Sequence, residues 1–173
     1  MALFDQLDKY VEGSRPRFEE WLGRLVEIPT VSMDPARRDD MRRGAAVAVE
    51  YLTTLDAQAT IVETGGHPLV VGGWIGNPAW PTVAVYNHLD VQPAIEPEWT
   101  REPFKFAVEG EHYYGRGATD DKGPALTALL AAGGSRSPEA LLKDFGVDIR
   151  SESFWQSGFE TIKGMVRELK ATA

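Results

Sequence analysis

Tyr86-Asn87-His88-Leu89-Asp90-Val91-Gln92-Pro93, followed by Gly115-Arg116-Gly117-Ala118-Thr119-Asp120-Asp121-Lys122-Gly123-Pro124, is the part of the chain that decides its reading. The first stretch closes a nearly continuous apolar run, Thr82-Val83-Ala84-Val85-Tyr86-Asn87, which is expected to be a central strand buried on both faces. His88 and Asp90 lie two apart, so in an extended segment their side chains leave the same face. The carboxyl end of such a strand is where α/β sheets usually bind ligands. A neutral imidazole is a natural zinc ligand, and a nearby carboxylate can fix its tautomer through the other ring nitrogen. Asp120 stands where a loop enters a helix, with Gly115, Gly117 and Gly123 allowing close backbone approach, and there a carboxylate could bridge two cations.

The surrounding pattern alternates helix and strand. Phe18, Leu22, Leu25 and Val26 recur at helical spacing within 15–27, closed by Pro29, and Leu3, Leu7, Tyr10 and Val11 extend the pattern upstream through Pro16. A second helix is expected over 36–55 on the stripe Ala45, Ala48, Val49, Leu52 and Leu55. Strands are expected at 59–63 and 69–75 around a Gly65-Gly66 turn, and a hairpin at 104–115 around Glu109-Gly110-Glu111. A helix is expected from Lys122 to Ala132, stopped by Gly133-Gly134, then a short one opened by Ser137-Pro138-Glu139 and a last one over 153–170. Helices on either side of a buried sheet give an α/β, three-layer sandwich with a central mostly parallel sheet.

Composition narrows the chemistry. With 173 residues and 43 % hydrophobic content the chain can bury a core of its own. Its formal charge of −8 argues against nucleic acid or an anionic membrane as partner. There is no cysteine, so a metal would be held by nitrogen and oxygen alone. Met1-Ala2-Leu3-Phe4-Asp5-Gln6 has no basic flank and no apolar core, so no secretory leader is expected and a cytoplasmic location is the default. Lys122-Gly123 is not the order of a phosphate loop, and Gly115-x-Gly117 lacks the third glycine of a dinucleotide fingerprint. Asp121 and Lys122 read most simply as helix-start charges, His67 as a turn residue and His112 as a hairpin surface residue.

His88-Leu89-Asp90-Val91-Gln92-Pro93, then Trp99 with Pro103-Phe104, then Tyr114 through Pro124 closely resembles the co-catalytic zinc exopeptidases, most of all their dipeptidase branch. That family includes carboxypeptidase G, the carnosine-type dipeptidases, acetylornithine deacetylase and succinyl-diaminopimelate desuccinylase. The likeness extends to Ile28-Pro29-Thr30-Val31-Ser32 and to Glu63 through Pro68. It implies a metallopeptidase: a hydrolase that cleaves small peptides or N-acyl amino acids with metal-activated water, using one or two Zn2+ ions. It also implies that His88 binds one metal, that Asp120 bridges both, and that Asp90 is an active-site residue supporting His88.

The same resemblance marks what is not found. In the family, two adjacent glutamates (one the general base, the other a ligand), a further carboxylate, a lid domain and a late histidine ligand follow the Lys-Gly-Pro helix. All 3 histidines of this chain precede Pro124, and Asp148-Ile149-Arg150-Ser151 stands where the late one is expected. The expectation is a truncated catalytic domain without its lid: residues 1–134 its N-terminal part, 135–173 its C-terminal helical part, and the intervening segment absent. Metal binding should then be weak and single. Sheet strands missing from the domain would leave an edge that a homo-oligomer could cover.

Overall fold

The computed structural model describes residues 3–74 and 82–134. The expected helices at 137–146 and 153–170, and the division at 134/135, lie outside the described residues.

Helix α1 runs Leu3–Val26 without a break at Pro16, so the upstream apolar turns and the 15–27 pattern are one helix. A 3-10 turn, Pro35–Arg37, and α2, Arg38–Thr54, replace the single helix expected over 36–55. Asp34 caps the turn by accepting from the Ala36 amide at 2.9 Å, with proline at the first position, the sequence signature of a helix start. Strands β1, Gln58–Val62, and β2, Leu69–Gly73, pair antiparallel from Gln58 opposite Gly73 to Val62 opposite Leu69. The hairpin of β3, Ala107–Glu109, and β4, His112–Tyr114, turns where expected, although residues 104–106 lie outside its first strand. Helix α3 spans Lys122–Gly134.

The core is helical. Trp21, Leu22, Leu25 and Val26 of α1 meet Tyr51 of α2 and Leu126 and Leu130 of α3. Burial of a side chain such as Leu22, which is fully enclosed, contributes roughly 1.5–3 kcal/mol. Trp21 and Tyr51 stack with ring centroids 4.0 Å apart, and the Tyr51 hydroxyl donates to the Trp21 carbonyl at 3.2 Å. Burial pushes the Tyr51 phenol up to about 12. Towards the other end of α3, the Tyr10 hydroxyl donates to the Leu130 carbonyl at 2.6 Å, tying α1 to α3.

One expectation is corrected and another is not met among the described residues. Residues 82–87 form no strand: Val85 is 60 % and Tyr86 86 % exposed. An apolar run becomes a buried central strand only between neighbouring strands, and the described residues place none beside it. The described residues likewise contain two separate two-stranded antiparallel sheets and no parallel pairing, so the central parallel sheet is not seen among them. What they form is mixed helix and sheet. No helix among them is long and apolar enough to cross a membrane.

Candidate functional site

Although residues 82–87 are exposed, the four that follow are pinned. The Val91 amide donates to the Thr30 carbonyl at 2.9 Å, and the Thr30 hydroxyl donates to the Leu89 carbonyl at 2.5 Å. From the opposite side Asp121 Oδ2 accepts from the His88 amide at 3.2 Å and from Asn87 Nδ2 at 3.1 Å. The two motifs are thus bonded to each other. The glycines permit this closeness: a Cβ added to Gly117 (φ +88°) would lie 2.7 Å from Val91 Cγ1, and one on Gly123 would run into the Ala118 carbonyl. The Asp120–Asp121 peptide is cis.

These contacts bring His88, Asp90 and Asp120 to one cleft of about 260 Å3, also lined by Trp99, Arg116 and Thr119. His88 Nδ1 lies 3.1 Å from the Asp90 carbonyl oxygen and 3.3 Å from Asp90 Oδ1. Both are acceptors, so Nδ1 carries a hydrogen. Nε2 then faces Asp120 Oδ1 at 3.3 Å. In a neutral ring this sets a lone pair against a carboxylate oxygen, an arrangement that asks for a cation: a proton on Nε2, or a metal ion between the two. Burial alone would hold the His88 pKa down, but the hydrogen bond to the Asp90 backbone and the charges of Asp90, Asp121 and Asp120 outweigh it and raise it.

The donor set fits part of a zinc site. Two ligands of a tetrahedral zinc with bonds of ~2.0–2.1 Å stand roughly 3.3 Å apart. Asp120 is 85 % exposed, so its oxygens are open to the cleft. Among the described residues no cluster of three or more metal-ligating side chains forms, so His88 and Asp120 could supply two ligands and no third protein ligand accompanies them there. His67 turns its Nε2 to the Ser32 carbonyl at 2.9 Å, and His112 lies exposed on β4.

Sequence reasoning missed Lys122. It is no solvated helix-start charge: the side chain is fully buried and donates from Nζ to the Leu25 and Ile28 carbonyls at 2.7 and 2.8 Å. Burial lowers its pKa to about 8, with Asp90 acting weakly the other way. The available clue was α3 itself, a helix that carries Lys122 as its one charge. Asp121, read the same way, instead binds the chain that carries His88. Arg116 reaches over Trp99, 5.0 Å from its ring centre, and bonds Glu96 Oε1 at 2.5 Å and the Pro93 carbonyl at 3.1 Å, stiffening the outer wall of the cleft.

Comparison with known proteins shows what the chain is similar to. Residues 84–140 match the sequence model of peptidase family M20/M25/M40. The Cys-Gly metallodipeptidase of Schizosaccharomyces pombe is 32 % identical over 177 aligned residues, covering 94 % of this chain and 37 % of that protein. The human Beta-Ala-His dipeptidase is 30 % identical, covering 98 % and 36 %. The crystal structure of human carnosine dipeptidase 1 superposes with a TM-score of 0.69 at 29 % identity, over 84 % of this chain and 32 % of that one. The chain therefore spans about a third of the length of the relatives it matches.

Proposed function

The chain belongs with peptidase family M20/M25/M40, and on that premise we propose that it is the part of a metal-dependent dipeptidase that presents a divalent ion to the substrate. The observation that carries this reading is the His88 Nε2–Asp120 Oδ1 pair, two electron-rich atoms 3.3 Å apart at the wall of a cleft. His88 and Asp120 are the ligands, Zn2+ the ion, and Asp90 the residue that keeps the hydrogen on Nδ1 so that Nε2 is free to coordinate.

A bound zinc would supply Lewis-acid polarisation of the scissile carbonyl and a water of lowered pKa. The remaining work belongs to the chain. Trp99, with the Arg116 guanidinium over its ring, forms a wall beside the ligand pair against which a short substrate can lie. At about 260 Å3 the cleft is just below the ~300–1,000 Å3 usual for small-molecule sites, room enough for a dipeptide or an N-acyl amino acid. Cys-Gly and β-Ala-His, named for the relatives, are the substrates to try first.

A second reading rests on a separate observation. No glutamate lines the cleft among the described residues, and no third ligand is present there. Without a positioned base, the ~10²–10⁴-fold contribution of general-base catalysis is lost. On this reading the chain is a catalytically incomplete remnant that binds at most one metal weakly. Incubating zinc-loaded protein with Cys-Gly, β-Ala-His and an N-acetyl amino acid separates the two. Metal-dependent release of free amino acid, abolished by Asp120→Ala, supports the hydrolase; zinc binding without turnover leaves the remnant.

A further inference from the structure

Between the two motifs lies a segment that neither the ligand pair nor the cleft accounts for, the loop from Ile28 to Ser32. Its Ile28 carbonyl at one end, with that of Leu25 at the close of α1, holds the buried Lys122 ammonium at the start of α3. Thr30, only 2 % exposed, bonds the chain on both sides of Asp90 through Leu89 and Val91. α2 leaves room for it with a glycine: a Cβ on Gly44 would stand 2.7 Å from Thr30 Cγ2. His67 braces the loop from outside through the Ser32 carbonyl. The same loop therefore grips the segment bearing His88 and the segment bearing Asp120.

At its end the Ser32 hydroxyl donates to Asp90 Oδ2 at 2.6 Å. Asp90 is 40 % exposed, and a carboxylate so open to water has several rotamers of similar energy. With Oδ2 tied to Ser32, Oδ1 is left against His88 Nδ1 at 3.3 Å. We infer that Ser32 is a positioning residue: its hydroxyl fixes the Asp90 carboxylate against His88 Nδ1, and thereby the ring tautomer that leaves Nε2 free opposite Asp120. Its consequence for metal rests on the zinc reading above, whereas its consequence for the tautomer does not.

The experiment therefore has two readouts. On metal-free protein at a pH where the ring is neutral, the imidazole nitrogen shifts of His88 report which nitrogen bears the hydrogen. Zinc affinity is measured by calorimetry on the same samples. Ser32→Ala is expected to lower the Nδ1–H fraction, the Asp90 carbonyl preserving part of it, and to weaken zinc about tenfold, at the lower end of what loss of a ligand's hydrogen-bonding partner costs. Ser32→Thr, which restores the hydroxyl, should recover both, and the melting temperatures should stay together. An unchanged tautomer fraction in Ser32→Ala overturns the inference, whatever zinc does. A tautomer that responds in a protein that binds no zinc upholds Ser32 and removes the metal reading instead.

Discussion

At the scale of the residue, the site is a question of which atom holds the proton. Nδ1 of His88 is committed to Asp90, so the ring can gain a charge only at Nε2, where Asp120 waits. Because its neighbours raise the His88 pKa above the ordinary 6.5, protons compete with metal more strongly than at an isolated histidine. Zinc affinity should fall as pH drops below that raised pKa, by up to about tenfold per unit, and hold steady above it; titrations across a pH series will show the break. Asp90→Asn keeps the shape but removes the charge and permits a wrong tautomer. It should weaken zinc ~10–100-fold while leaving the fold in place, read by calorimetry with circular dichroism alongside. His88, Asp90 and Asp120 were legible as a constellation because a two-residue spacing and a glycine-rich turn are local features. Ser32 was not, since its role depends on a bond across 58 positions of sequence.

At the scale of the element, α1, α3 and the β3–β4 hairpin follow from periodicity and turn residues, and α2 does so apart from its opening turn. The strand expected at 82–87 does not. An apolar run reports that burial is wanted, and whether a sheet receives it depends on partners elsewhere. Lys122 shows the converse, a charge taken for solvent-facing that the fold encloses. Replacing it by methionine takes the Nζ donor from the Leu25 and Ile28 carbonyls, which keep only the Ile28 and Thr30 amides, and should cost about 1.5–3 kcal/mol at neutral pH. The deficit should grow with pH. Between the folded value of about 8 and the ordinary 10.5 the unfolded wild-type chain binds more protons than the folded one, so wild-type stability gains from this group as pH rises. Urea unfolding at pH 7 and pH 9.5 tests both the size and the trend. Gly123→Ala, whose Cβ would strike the Ala118 carbonyl, should destabilise by roughly 1–3 kcal/mol or more and disturb the turn that holds Asp120.

At the scale of the whole molecule, the described residues form a helical core with the His88–Asp120 pair at its edge. They also leave apolar surface bare, including Leu69, Val71, Val85 and Tyr86, each more than half exposed. Surface of that kind favours association, so the protein should self-associate at micromolar concentration, and Val85→Lys should shift it toward monomer in sedimentation velocity. A monomeric wild type would show that this surface is covered from within. The central claim is narrower: His88 and Asp120 together hold a divalent ion. Calorimetric titration of zinc into metal-stripped protein, with His88→Ala and Asp120→Ala in parallel, tests it most directly. One zinc per chain, lost in both variants, is the predicted result. Binding indifferent to either substitution, or no binding in the wild type, would contradict it.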